Sequence, residues 1–135
     1  MRKWTGPILG LCLVASVAQA HHSLSAYDQN RSVTAEGTVE DYHFSNPHPV
    51  LMIAVTAPSG GKQIWRLEMD NLHELVDVGI SKTTFKYGDK VTATGWPDKS
   101  SPTGVYLRRL DRPSDGLRYE QIGLSPRVTY TKGPG

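Results

Sequence analysis

Polar and apolar residues alternate along several short stretches of the chain, a pattern typical of half-buried β-strands. Small or apolar residues occupy every second position over 33–39, between threonines and glutamates. The alternation then slips by one, because Tyr42 and Phe44 fall on the opposite parity. One extra residue near Glu40 and Asp41, a β-bulge, returns both rings to the core side and bends the strand, as closing a small barrel requires.

Other segments with strand character follow, separated by turn residues. Residues 50–57 form a continuous apolar run rich in β-branched side chains, which indicates a well-buried strand. The turn before it is Ser45-Asn46-Pro47-His48-Pro49, and Pro58-Ser59-Gly60-Gly61 forms the hairpin turn after it. Further strands are predicted at 62–69, 90–96 and 105–110, with a last hairpin strand at 117–122.

A helical signal separates the third strand from the fourth. Asp70 or Asn71 can cap a short helix that runs to about Val78, and Gly79 ends it. Three strands, a helix and two strands, with a bulge in the first, suit the five-stranded OB barrel. The sequence therefore predicts an all-β fold with one short helix, a small OB-like β-barrel with room for an extra C-terminal hairpin strand. An open sandwich or another small barrel is the alternative, because one sequence does not reveal strand order.

The segments on either side of the barrel complete the predicted organisation. Residues 21–31 are polar and irregular, and we expect them to form an N-terminal arm. The barrel domain occupies 32–123. Residues 124–135 are rich in Ser, Thr, Pro and Gly, which predicts a flexible tail.

The first 20 residues have the three parts of a secretory signal peptide. Arg2 and Lys3 form a positive n-region, residues 8–18 form a short apolar stretch, and Ala18-Gln19-Ala20 is a small-x-small cleavage site. The apolar stretch is too short to span a membrane. The sequence therefore predicts export to the periplasm with cleavage after Ala20, which leaves His21 as the new amino terminus.

Removal of this leader changes the composition. Cys12 is the one cysteine and lies in the leader, so the mature chain has neither a disulfide nor a Cys-type zinc site. The leader carries two of the 15 basic residues and none of the 13 acidic ones, which leaves 13 of each sign. A balanced charge gives no reason to expect nucleic-acid binding. No second segment is long and apolar enough to suggest a membrane span.

Short motifs along nearly the whole mature chain resemble those of one family. They are His21-His22-Ser23, Val33-x-x-x-Gly37-x-Val39, Asn46-Pro47-His48, Trp65-x-x-Glu68, Gly88-Asp89-x-Val91, and Asp115-Gly116 before a basic residue. The chain resembles the domain of unknown function 6152, a family of short exported bacterial proteins. The resemblance implies a periplasmic OB-like β-domain without a known activity. The chain departs from the family pattern after Glu68, where Asp70-Asn71-Leu72-His73 replaces small residues and a proline.

A free amino terminus beside two imidazoles is a compact chelator of transition metals. The amine and the ring of His21 can close a chelate ring on one ion, and a second histidine then completes a histidine brace. In another mode, the imidazole of His22, the intervening amide and the terminal amine bind Cu(II) in a nearly planar set. Nitrogen ligands of these kinds favour copper among divalent ions. The amine titrates near pH ~8, so its deprotonation costs little at neutral pH.

Two histidines near the first turn are candidate partners for His21. His48 lies in the loop between the first two strands, which borders the usual ligand face of an OB barrel. His43 lies just before that loop and should point away from the core. An arm of about 11 residues spans up to roughly 35 Å, so His21 can reach either. The predicted copper site thus uses His21 with His22, His48 or His43, whereas His73 near the helix start is expected to be solvated.

A second candidate site uses aromatic residues. Trp96 is out of phase with the apolar positions of its strand and is the best candidate for an exposed ring, with Asn46 in the first turn nearby. The charged cluster of the fifth strand is expected to form a solvated strand edge. This cluster contains Arg108, Arg109, Asp111 and Arg112.

Two functional hypotheses follow from these residues. The first is a periplasmic β-barrel module that binds copper for sequestration or delivery. The alternative is a metal-free module that binds a small molecule, a peptide or an envelope protein on the barrel face near Trp96 and the 45–49 loop. Ser23, Ser25 and Ser45 lie in no nucleophile-elbow pattern, so the sequence predicts no enzyme.

Overall fold

Residues 24–132 are described by the computed structural model of the protein. In that part of the chain, seven strands and a short helix follow one another. Their bounds, in chain order, are β1 (Val33–His43), β2 (Val50–Thr56), β3 (Lys62–Glu68), α1 (Leu72–Asp77), β4 (Lys90–Pro97), β5 (Gly104–Arg112), β6 (Leu117–Ile122) and β7 (Ser125–Tyr130).

Five of the strands close into a barrel. β1 pairs antiparallel with both β2 and β4, β2 pairs with β3, and β4 pairs with β5. Parallel pairing of β3 with β5 closes the ring. This order, with a helix between β3 and β4, is that of an OB-like barrel, so the predicted fold is confirmed. β6 and β7 extend the sheet from β5 as an antiparallel hairpin.

The first strand contains the predicted bulge. The pairing of β1 with β2 shifts register between Val39 and Asp41. Tyr42 is half-buried against the core as a result, and its ring lies 5.2 Å from that of Phe85 in an edge-on contact. His43, the next residue, is exposed on the outer side. The bulge therefore places successive side chains of β1 on the faces that the sequence predicted.

The helix begins and ends at the predicted capping residues. The side chain of Asn71 accepts a hydrogen bond from the backbone N–H of Glu74 at 3.0 Å, as an N-cap residue does. Gly79 has a φ of 87°, and its N–H donates to the carbonyl of Val76. Leu75 is fully buried and fixes the helix to the barrel core.

One apolar core fills the barrel and continues beneath the C-terminal hairpin. Leu51 and Leu67 are fully buried within it, and Tyr119 of β6 belongs to the same cluster. Gly37 lies where two strands approach closely, since a Cβ there would lie 2.6 Å from the carbonyl oxygen of Ala54. This close approach gives a physical reason for glycine in the first-strand motif.

The structure departs from the prediction at both ends of the domain. The segment predicted as a flexible tail, 124–135, contains β7, which pairs with β6 and packs Val128 against the core. The described part of the predicted arm, 21–31, is held by Tyr27, whose side chain is only 3% exposed. In both segments, polar and turn-forming residues surround a few apolar side chains that pack against the rest of the domain.

Arg112, at the end of β5, ties two turns together. Its guanidinium donates to the two carboxylate oxygens of Asp115 at 3.1 and 2.7 Å. It also donates to Asp89 at 2.7 Å and to the carbonyl of Thr84 at 2.5 Å. The side chain is 11% exposed, so the solvated position expected from sequence is wrong for this arginine. One nearly buried cation thus fixes both the connection before β4 and the turn after β5.

We expect Arg112→Ala to destabilise the fold by about 2–3 kcal/mol, because Asp89 and Asp115 would lose their charged donor. Urea unfolding measures this change as a shift in midpoint with an unchanged slope. Arg127→Ala is the matched control, since Arg127 is 58% exposed and pairs with Glu120. The control should lose less than about 1 kcal/mol. Equal losses in the two variants would show that Arg112 has no special role.

Candidate metal-binding and ligand-binding site

The 44–49 loop, which joins β1 to β2, is held against the end of β3. The backbone N–H of Met69 donates to the carbonyl of Pro49 at 2.9 Å, and that of Leu72 donates to the carbonyl of Pro47 at 3.2 Å. Pro49 is fully buried, and the bond between Asn46 and Pro47 is cis. The loop is therefore fixed at several points around the residue that it presents, His48.

The ring of His48 has a defined orientation and tautomer. Its Nδ1 atom lies 2.9 Å from the carbonyl oxygen of Met69. A carbonyl only accepts hydrogen bonds, so Nδ1 must carry the proton and donate it. The neutral ring then has its free lone pair on Nε2. Histidine ligands of metals have this same arrangement, in which one ring nitrogen donates to a carbonyl and the other faces the metal.

The other histidines of the described chain are placed differently. His43 is 61% exposed, as expected, and its Nε2 atom lies 2.9 Å from a carboxylate oxygen of Asp41. His73 is exposed on α1. Between residues 24 and 132, no group of three His, Cys, Asp or Glu side chains is arranged to hold a metal ion. His21 and His22, the first two predicted ligands, lie outside the described residues.

The N-terminal segment is anchored by a contact that sequence reasoning missed. The hydroxyl of Tyr27 donates to Glu68 at 2.7 Å, and Arg66 donates to the same carboxylate oxygen at 3.2 Å. Burial raises the pKa of Tyr27, and the bond to Glu68 raises it further, so the phenol remains a donor. Tyr27 and Glu68 are 41 positions apart, and no local pattern links them.

Trp96 is half-buried in a stack of side chains rather than freely exposed. Its ring stacks on Tyr106, with 5.8 Å between centroids and 19° between planes. The guanidinium carbon of Arg108 lies 4.2 Å from the Trp96 ring centroid. Arg108 also donates to the carbonyl of Gly123 at 3.0 Å. Trp96 therefore offers less free ring surface than the sequence indicated, whereas Asn46 is exposed in its loop.

Cross-strand pairing places the candidate residues at one level of the barrel. His43 lies opposite Val50, and Val50 lies opposite Glu68. Glu68 lies opposite Tyr106, which in turn lies opposite Trp96. Directly paired residues project from the same face of a sheet. The entrance to the 44–49 loop, the end of β3 and Trp96 therefore border one outer face of the barrel.

A buried polar network at the start of α1 was also not predicted from the sequence. Asp70 and Gln121 are each 6% exposed, and the Gln121 amide donates to the Asp70 carboxylate. The hydroxyl of Tyr119 donates to the Gln121 side-chain oxygen at 2.7 Å. The sequence marked Asp70 only as a helix cap, because its partner lies 51 positions away on β6.

Glu74 lies beside this network in an unfavourable position for a charge. Its Oε2 atom is buried and has no hydrogen-bond partner among residues 24–132. Burial raises the pKa of Glu74, and the neighbouring Asp70 carboxyl raises it further. A proton on Glu74 removes the repulsion between the two carboxylates. The folded protein therefore binds this proton more strongly than the unfolded chain does.

We expect Glu74→Gln to reduce the pH dependence of stability. The unfolded chain loses the Glu74 proton near its ordinary pKa of 4.5, whereas the folded protein retains it to higher pH. The stability of the native sequence should therefore fall as the pH rises through the folded pKa, and an amide does not titrate. Urea unfolding across this range should show that the advantage of the variant grows with pH. If the Glu74→Gln protein differed from the native sequence by a constant amount between about pH 4 and pH 8, the raised pKa of Glu74 would be refuted.

Comparison with known proteins agrees with the resemblance that the motifs indicated. Residues 10–106 match the profile of a family of unknown function, DUF6152. A search of curated proteins found no match to this chain. In the part of the chain that the structure describes, helices are too short or too polar to cross a membrane. The match covers well over half of the sequence, and the chain belongs to the family of unknown function DUF6152.

Proposed function

We propose that the protein is an exported β-barrel module that binds a copper ion through its mature amino terminus and His48. The observation that carries this proposal is the orientation of His48. Its Nδ1 proton is committed to the carbonyl of Met69, which leaves Nε2 as the atom that can bind a metal. The proposed role is sequestration or delivery of copper, and it includes no catalytic step.

The amino terminus supplies the remaining ligands in this proposal. After cleavage behind Ala20, the amine and imidazole of His21 form one chelating pair, and His22 offers a second imidazole. Amine and imidazole nitrogens favour copper among the divalent metals. The described chain alone holds no group of three metal-binding side chains, so the proposed site is complete only when the terminus and the loop meet.

The position of the N-terminal segment supports such a meeting. Tyr27 is anchored to Glu68, and the described chain begins at Leu24. His21 lies three positions before Leu24, a separation of at most about 11 Å. Glu68 precedes Met69, whose carbonyl holds His48. The anchor of the segment and the anchor of the loop are therefore neighbours at the end of β3.

His48 is a better partner for the terminus than His43. The Nε2 atom of His43 faces Asp41 at 2.9 Å, and the side chain is 61% exposed. A metal at His43 would have to displace that carboxylate and fix an exposed side chain in a new position. His48 is already fixed by its bond to Met69 and by the buried proline that follows it.

A Cu(II) titration of the protein that begins at His21 tests this proposal. We expect a dissociation constant of about 1 µM or tighter, and much weaker binding when the terminal amine of His21 is acetylated, because an amide nitrogen blocked in this way no longer provides the amine ligand. His48→Ala should weaken binding by at least about tenfold and remove one nitrogen from the Cu(II) paramagnetic resonance spectrum.

His73→Ala is the matched histidine control, since His73 is exposed on α1 and belongs to no proposed ligand set. It should leave both affinity and spectrum unchanged. Equal and weak copper binding by the His21 protein and the acetylated protein would contradict the copper proposal.

The metal-free alternative has an observation of its own in its favour. Ile122, the last residue of β6, is 53% exposed, and Leu124, in the turn that leads to β7, is 75% exposed. Arg108 links this turn to Trp96 through the carbonyl of Gly123. Exposed apolar residues beside an aromatic ring favour binding of an envelope protein, a peptide or a small molecule. A cross-linking group at position 124 tests this alternative. Equal yields of cross-linked partner in the native and His48→Ala proteins would favour it.

A further inference from the structure

We propose that the carboxyl groups of Asp70 and Glu74 form a proton-operated clamp, which holds the start of α1 on the barrel while the two groups share a proton and loosens it when they lose that proton. The clamp joins α1 to β6 and to the 44–49 loop. It does not depend on the copper proposal, because neither carboxyl group belongs to that ligand set.

Asp70 is the fixed half of the clamp. Its side chain is 6% exposed, and the backbone N–H of Asn71 donates to its Oδ1 atom at 2.7 Å. Its Oδ2 atom accepts a hydrogen bond from the side-chain amide of Gln121 on β6, and Gln121 in turn accepts one from the hydroxyl of Tyr119. Both oxygens of Asp70 thus already act as acceptors, which suits Asp70 to be the acceptor in a shared pair.

Glu74 is the half that gains and loses the proton. Its Oε2 atom is buried, and no donor within residues 24–132 reaches it. Burial raises the pKa of Glu74, and the Asp70 carboxyl, which lies within hydrogen-bonding reach, raises it further. A proton on Glu74 accounts for the orphaned oxygen, because the resulting hydroxyl donates to the neighbouring carboxylate.

No cation compensates the pair once this proton is lost. Between residues 24 and 132, neither carboxyl group takes part in an ion pair. The guanidinium of Arg108 is engaged by an aromatic ring and by a main-chain carbonyl. The titratable and charged groups that face or flank the pair are Asp77 and His73 on α1, Tyr106 and Arg108 on β5, Tyr119 on β6, and His48 in the 44–49 loop.

Ionisation of Glu74 therefore places two negative charges side by side where three segments meet. The N–H of Leu72 donates to the carbonyl of Pro47 at 3.2 Å, which ties α1 to the 44–49 loop, while Asp70 ties the same point to β6. A helix of six residues has few hydrogen bonds of its own to hold it. We expect the attachment of α1 to loosen as the pH rises through the pKa of Glu74.

Amide hydrogen exchange without any metal tests the clamp, with rates corrected for the intrinsic effect of pH. Protection of the Leu72 N–H should fall by about tenfold or more between about pH 4 and pH 8. Glu74→Gln should remove this fall, because an amide does not titrate. The N–H of Arg66, which donates to the carbonyl of Thr103 at 2.9 Å, is the internal reference. Its protection should fall less than that of Leu72.

Equal falls at Leu72 and Arg66 would show that the whole domain unfolds, and would overturn the clamp. An undiminished fall at Leu72 in Glu74→Gln would overturn it as well. Asp70→Asn retains an oxygen that can accept from Gln121 and removes the charge that repels Glu74, so it should reduce the fall at Leu72 to about twofold or less.

A direct titration of the native protein needs no variant. The carboxyl carbon of Glu74, followed by carbon-13 NMR, should titrate above the ordinary pKa of 4.5, and the carboxyl carbon of Asp70 should respond over the same pH range. Titration of Glu74 at or below 4.5, with no response from Asp70, would show that the two groups share no proton and would reject the proposal.

Discussion

The barrel and its candidate site both depend on the parallel pairing of β3 with β5. Residues 66–68 pair with 104–106 there, which turns an open antiparallel sheet into a closed ring. The same pairing sets Glu68 beside Tyr106, and Tyr106 in turn contacts Trp96 and Tyr27. The outer face is therefore assembled only when strands distant in sequence have met, and it should appear late in folding.

Local sequence patterns were sufficient to predict the barrel but not the contacts on its surface. Alternation identified the strands, the parity change at Tyr42 identified the bulge, and Asn71 and Gly79 identified the helix ends. These features arise from the geometry of adjacent residues. The bond from Tyr27 to Glu68 depends on which strands become neighbours, and that information is absent from any short stretch of sequence.

The same distinction separates two kinds of motif residue. Asp89 and Asp115 belong to different motifs and meet at one guanidinium, that of Arg112, where they hold turns in place. Glu68 and His48 also belong to different motifs, and each has its partner elsewhere: Glu68 accepts from Tyr27, and His48 bonds to the carbonyl of Met69, the residue after Glu68. The first pair holds two turns, whereas the second pair fixes the N-terminal segment and the 44–49 loop beside the end of β3.

His48 takes its orientation from a main-chain oxygen, and this choice of acceptor affects how the sequence can vary. A carbonyl group is present whatever side chain occupies position 69. The direction of the imidazole is consequently determined by the course of the backbone and needs no second polar side chain. Related proteins can change residue 69 to any side chain that fits the core and still present the same ring nitrogen.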